Sequence, residues 1–370
     1  MAERRSSEVE TVILARAVSM VLMVASHARL SQALFEGKYF YGGLDALLAL
    51  SGMTMATFSF TGTTSDTLRS FLRYGLRLLV PCWTIMVIWD TIVLALGAKN
   101  VTLTLYFTEL ALISNWFTHH RLVLFHVWYP QAMAQMLLFL ALIFRLGNLT
   151  PMIRRHPVAV TATALAVALA MAVVSHALWN TLYLADKLPH LVLWNFMLGW
   201  FLWAMMRNGE DGIARKLLLS AVIIGCAVIA YLPTGAEFGP VRAVWFVVIV
   251  VPVIWFRTVR LPTFLAQPAV LVAQASFWIF LAHIFLFDLI EVMVKPLGIS
   301  RGLPLSLLEL AIGLAVPILG WAWTTASIRV WYSNGQRGLF PLAFRRWTRW
   351  SPQTSPRRPG RKKVWDDTVT

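Results

Sequence analysis

Long apolar stretches, each broken by only one or two polar residues, follow one another along nearly the whole chain. A helix that crosses a bilayer core needs about 17–25 predominantly apolar residues. Stretches of that kind fall at 11–30, 42–60, 78–98, 122–146, 157–177, 190–206, 216–232, 241–256, 264–291 and 305–328. The pattern predicts an all-α, polytopic membrane protein with about ten transmembrane helices. The segment 101–118 is apolar too, but it is short and holds Glu109, Ser114 and Asn115. It is expected to be an interfacial or re-entrant piece. No repeat of 20–50 residues is evident.

Composition agrees. Apolar residues make up 58% of the chain and charged residues 13%, against about 25% charge in a soluble domain. Cys82 and Cys226 both lie in apolar stretches without CxxC spacing, so neither a disulfide nor a metal site is expected. The first stretch carries Arg16 and His27 where a signal peptide would be uninterrupted, so no cleaved leader is expected.

Charge sets the orientation. With ten crossings, one set of loops carries Arg4, Arg5, Arg69, Arg73, Arg77, Arg154, Arg155, Arg207, Arg215, Lys216, Arg257 and Arg260. The other set holds Arg29, Lys38, Lys99, Arg121, Lys187, Arg242, Lys295 and Arg301. Positive loops stay in the cytoplasm, so both termini are expected there, in a multi-pass protein of the cell inner (plasma) membrane. Counting 101–118 as a crossing would weaken this bias. The net charge of +15 owes much to the C-terminal tail. The chain then divides into a cytoplasmic N-terminal segment 1–10, a transmembrane domain 11–332 and a polybasic, disordered cytoplasmic tail 333–370. Such a tail suits anionic membrane lipids; no nucleic-acid module accompanies it.

Candidate chemistry starts with Arg16 and His27, inside the run VILARAVSMVLMVASHA. An ionisable group at membrane depth is costly and marks a functional site by default. Eleven residues at about 100° each return a helix to within about 20° of the same face, roughly 16 Å further along. Ser19, Met23 and Ser26 lie near that stripe, which suits a lined cavity.

Asp45 enters the second stretch at what the topology makes a similar outer depth to His27. A carboxylate beside an imidazole raises its basicity and fixes its tautomer. The other reading is that Asp45 merely caps its helix. Arg69, Arg73 and Arg77 fall at i, i+4 and i+8 and present three guanidinium groups on one face at the cytoplasmic surface, a shape that takes phosphate; ordinary cytoplasmic anchoring would look the same. His283, in ASFWIFLAH, reaches the outer half of the membrane near His27. Trp128, Tyr129 and Gln131 open the fourth stretch from outside, where an aromatic belt is also expected. His119, His120 and His126 cluster near that interface without zinc-site spacing, and no metal is expected.

Taken together these segments resemble a family. R-x10-H in the first stretch, GGLDALLALSG at 42–52 and LRYGLRLLVPCW at 72–83 follow the order of the acyltransferase-3 family of integral-membrane acyltransferases. FHVWYPQAMAQ at 125–135, LWNFMLGWFLW at 193–203 and ASFWIFLAH at 275–283 resemble its later motifs. The resemblance covers roughly residues 10–330. It implies transfer of an acyl group, with acetyl expected, from cytoplasmic acyl-CoA to a hydroxyl of a glycan, glycolipid or small acceptor at the outer side. It also implies His27 as the catalytic histidine and Arg16 as its partner, with Arg73 and Arg77 on the donor side. One departure is visible: the family often has Glu a few residues after the tryptophan, where this chain has Met133 between Gln131 and Gln135.

Combining residues and resemblance, we expect His27 as general base, Asp45 as its orienter and His283 binding acceptor or stabilising charge. Arg16, Arg73 and Arg77 are expected on the donor, and Trp128, Tyr129 and Gln131 on substrate. Two rival functions share these features: a transporter or flippase of a glycan or lipid intermediate, and a noncatalytic member of a polysaccharide assembly complex. Acceptor identity, acyl length and oligomeric state are not encoded in any motif.

Overall fold

The apolar stretches become helices because a backbone at membrane depth must satisfy its own hydrogen bonds. A computed structural model describes residues 6–35, 37, 39–60, 62–95, 102–117, 128–179, 188–207, 212–232, 238–298 and 302–333. The expectations for His119, His120 and His126, for residues 1–5 and for the tail beyond Ser333 lie outside the described residues. In chain order, strand β1 (Ser6–Glu10) leads into α1 (Thr11–His27), α2 (Leu30–Phe35), α3 (Gly43–Ser59) and α4 (Thr64–Ala95). Next come α5 (Leu103–Leu110), α6 (Ser114–Phe117), α7 (Trp128–Gly147), α8 (Leu149–Arg155), α9 (Pro157–Trp179), α10 (Pro189–Arg207), α11 (Ile213–Tyr231) and α12 (Gly239–Trp255). Strand β2 (Thr258–Pro262), α13 (Thr263–Val294) and α14 (Leu303–Ser333) complete the described chain.

Six helices among the described residues are long and apolar enough to cross a membrane, within α4, α7, α9, α11, α13 and α14; α1 and α12 are apolar but shorter. The segment 101–118 forms two short helices, α5 and α6, neither long enough to span. The arginine stripe at Arg69, Arg73 and Arg77 is not a separate loop element. It is the first part of α4, continuous with the apolar run that follows.

The chain divides into two compact units, Met1–Leu319 and Gly320–Thr370. The described part of the second is the last stretch of α14, where Thr324 Oγ1 donates to Gly320 O at 2.6 Å. In the first, α10 is buried from Leu191 to Ala204. A helix apolar and covered all round belongs at the centre of a bundle. It packs on α3 through two glycines: a methyl group on Gly52 would strike the carbonyl of Phe196, and one on Gly199 the carbonyl of Ala49. Backbones approach this closely only across small residues.

The all-α expectation needs one addition, a two-stranded antiparallel ribbon. β1 pairs with β2 from Ser6↔Pro262 to Glu10↔Thr258, and the Thr11 amide donates to Arg257 O at 3.0 Å. Two paired strands must lie on one side of a membrane, so an even number of crossings separates them. The ribbon also launches α1 and α13 side by side. α1 begins opposite Thr258 and α13 opposite Ser6, so α13 starts further back. Its His283 therefore needs a run of about 30 Å to draw level with His27, which is about 24 Å from the start of α1.

Candidate active site

His27 is the last residue of α1, half-buried, and His283 lies fully buried within α13. Their rings stack with centroids 5.0 Å apart and planes within 17°, and His27 Nδ1 meets His283 Nε2 at 2.8 Å. His283 Nδ1 faces two carbonyl oxygens of its own helix, Ile279 O and Phe280 O, each at 2.9 Å. Carbonyl oxygens only accept, so this Nδ1 carries the hydrogen. With both imidazoles neutral, His283 Nε2 then holds a lone pair and His27 Nδ1–H donates to it. That leaves His27 Nε2 as an acceptor, the form a general base needs.

Arg16, one face of α1 and eleven residues earlier, turns to α3. Its guanidinium donates to Thr54 Oγ1 at 3.1 Å, and Thr54 in turn donates to Leu50 O at 2.7 Å. Tyr129, at the start of α7, joins the two halves of the site. Its hydroxyl faces Ser51, with Arg16 and Tyr74 nearby, and its ring packs on Phe280 at 5.2 Å. Phe280 in turn lies 6.3 Å from the His283 ring. Residues of α1, α3, α7 and α13 thus line one continuous wall. The stripe along α1 is not open from end to end, because Gly43 of α3 packs on the carbonyl of Ser19 and on Leu22.

That contact explains why the expected His27–Asp45 pairing is not the one the fold makes. Gly43 brings the first turn of α3 beside Ser19 and Leu22, well before His27 on α1. Asp45 then faces α12, where Arg242 Nε and an Arg242 terminal nitrogen donate to it at 3.0 and 2.8 Å. The Arg242 guanidinium also lies 4.9 Å from the ring centre of Tyr231, whose hydroxyl donates to Asn195 Oδ1 at 3.3 Å. The partner of His27 is an imidazole rather than a carboxylate.

The other expected residues divide. Trp128 stands edge-to-face with Tyr129 at 6.2 Å. Gln131 turns away from the histidines and is fully buried, accepting from Ser114 Oγ at 3.0 Å and from the Asn115 amide at 3.3 Å. It anchors α6 against α7. On α4, Arg69 lies 3.7 Å from Asp66 at the surface; Arg73 is exposed and Arg77 half-buried.

Sequence reasoning passed over Ser51 and Thr54. They sit at i and i+3 in an otherwise apolar run, a signal that two hydroxyls share a helix face. It also passed over Asp90, a fully buried acid of α4 beside the equally buried Glu109 of α5. Among the described residues no group of three or more His, Cys, Asp or Glu side chains could hold a metal.

Comparison with known protein families gives one match, to the acyltransferase domain, over residues 9–326. The chain belongs to the acyltransferase-3 family. No curated protein and no solved structure matches the chain. Membership makes this a membrane acyltransferase, and the matched region runs from β1 into α14, so it contains the whole wall from Arg16 to His283.

Proposed function

We propose that this acyltransferase moves an acyl group, acetyl in the simplest case, from cytoplasmic acyl-CoA to a hydroxyl of a glycan, glycolipid or small acceptor outside the inner (plasma) membrane. The observation that carries the reading is the directed pair His27–His283, which leaves His27 Nε2 unprotonated at the mouth of the wall. The acceptor hydroxyl gives its proton to that nitrogen as its oxygen attacks the thioester carbonyl. The C–S bond then breaks, and the departing thiolate takes up a proton from the imidazolium. His283 orients His27 and accepts from its Nδ1–H throughout, so positive charge on His27 is stabilised while it holds the extra proton.

Arg73 and Arg77 engage the phosphates of the donor at the cytoplasmic face. Arg16, held by Thr54, supplies the deeper positive charge for the thioester end. Tyr129 and Trp128 form the aromatic side of the acyl path, and Tyr129 reaches from Arg16 to Phe280. The orientation that fits is ten crossings with both termini cytoplasmic. The ribbon supports it, since eight helices of the ten separate β1 from β2 and eight is even. A transporter would need an open path, and Gly43 covers the α1 stripe at Ser19.

The test uses inverted membrane vesicles carrying this protein, given radiolabelled acetyl-CoA on the exposed cytoplasmic face. Label should pass into glycan or lipid fractions with the unaltered protein and not with His27→Ala. Full transfer by His27→Ala would overturn the assignment of the base.

A further inference from the structure

A cavity lies well apart from the histidine wall, where the last turns of α10 and α12 meet the first turn of α11. It is lined by Met206, Arg215, Lys216, Ile254, Trp255 and Arg257, among others. Among the described residues that line it there is no carboxylate. Three cationic side chains, Arg215, Lys216 and Arg257, line one concavity. Arg215 and Lys216 stand in the first turn of α11.

Two neighbouring helices hold these side chains. Arg215 donates to Met205 O, in the last turn of α10, at 3.2 Å. Lys216 Nζ donates to Trp255 O, at the end of α12, at 3.4 Å. The indole N–H of Trp255 is fixed on Ser220 Oγ at 3.0 Å. Arg215 and Lys216 are therefore held in place at the cavity, with the exposed Arg257 at its rim. Arginine and lysine fixed around a concavity suit an oxyanion with several acceptor oxygens, a phosphate above all.

The surroundings say what carries that phosphate. Ile213, Leu217 and Leu218 on α11 are largely exposed, as are Phe256 beside the cavity and Phe264 just beyond β2. An apolar skin of this kind faces acyl chains in a membrane protein. A basic pocket at the cytoplasmic membrane surface beside such a skin matches an anionic headgroup with its tails alongside. We propose that Arg215, Lys216 and Arg257 form a binding site for the headgroup phosphate of an anionic phospholipid of the inner leaflet.

The site does not depend on the catalytic assignment; its cytoplasmic placement rests on the orientation proposed above. It also touches the base of α1, since the backbone carbonyl of Arg257 takes the Thr11 amide. A lipid seated there would brace the point from which α1 and the ribbon depart.

Native mass spectrometry of the full-length protein, with phosphatidylglycerol or phosphatidylcholine added in detergent, tests this. Phosphatidylglycerol should be retained at least tenfold better than phosphatidylcholine. Arg215→Gln with Lys216→Gln should remove most of that preference, and Arg257→Gln should reduce it severalfold. Arg257→Gln keeps the backbone bond to Thr11, so it carries the test if the double variant does not fold. Arg154→Gln with Arg155→Gln, which removes two charges elsewhere, should leave the preference intact. Equal retention of the two lipids, or equal losses in the Arg154/Arg155 control, would overturn the site. Displacement of phosphatidylglycerol by coenzyme A or inorganic phosphate at matched concentration would overturn the lipid assignment and give the pocket to a soluble phosphate.

Discussion

Asp45 and Arg242, 197 residues apart, are joined by two charge-assisted hydrogen bonds at 2.8 and 3.0 Å with side chains only 7% and 12% exposed. This pair ties the start of α3 to the start of α12. Removing one partner strands the other charge in a poorly solvated site, which costs about 3–5 kcal/mol. Asp45→Asn and Arg242→Gln should each lower thermal stability in detergent markedly. The double variant should lose less than the sum of the two. Additive losses in that double-mutant cycle would mean that the pair is not coupled.

The histidine pair gives the sharpest kinetic expectation. His27→Ala should reduce acyl transfer by about 10²–10⁴, the usual contribution of general base catalysis. If His283 acts through His27, as proposed, His283→Ala should lower kcat while leaving the KM for the acyl donor near its original value. A rise in donor KM at unchanged kcat would make His283 a binding residue instead.

Close packing of α3 on α10 supports the wall from behind. Gly52→Ala and Gly199→Ala each place a methyl group where a backbone carbonyl already sits. Overpacking of this sort costs about 1–3 kcal/mol, and the helices must separate to relieve it. Both variants should melt earlier than the unaltered protein, and acyl transfer should fall although neither residue meets substrate. Gly225→Ala, where nothing outside the local helix backbone lies within 4 Å of the added carbon, should not lower the melting temperature, since alanine is the better helix former.

Val9 and Val259 are opposite one another in the ribbon, and paired residues of antiparallel strands have Cα atoms about 4.5–5.5 Å apart. That lies within disulfide reach. Val9→Cys with Val259→Cys should cross-link under mild oxidation, seen as a mobility shift that reductant reverses. Failure to cross-link would count against the ribbon and against the even number of crossings drawn from it.

Much of the architecture was legible as hydropathy. Each of the ten apolar stretches contains a helix, because a run of that length and composition has no other way to satisfy its backbone in lipid. Arg16, His27 and His283 stood out for the same reason, as ionisable groups set among hydrocarbon. The choice of partner was not legible. Asp45 and His27 look adjacent when depth is counted along straight parallel helices, and the contact of Gly43 with Ser19 shifts that count. Strand β1 left no trace either, since Ser6–Glu10 offers a single apolar residue, Val9. Its pairing depends on a segment 252 positions away, as the contact between Glu8 and Arg260 shows.

The span of chain between the two histidines also sets a timetable for the enzyme. His27 and His283 are 256 residues apart, and translation at about 5–20 residues per second separates their synthesis by roughly 10–50 s. During that interval the first helix is already in the membrane while its partner has yet to be made. The His27–His283 contact cannot form until α13 has been inserted. On the proposed assignment the nascent enzyme is silent toward its acyl donor through most of its own biogenesis, and a chain stopped short of α13 would keep Arg16 and His27 yet lack the imidazole that His27 meets.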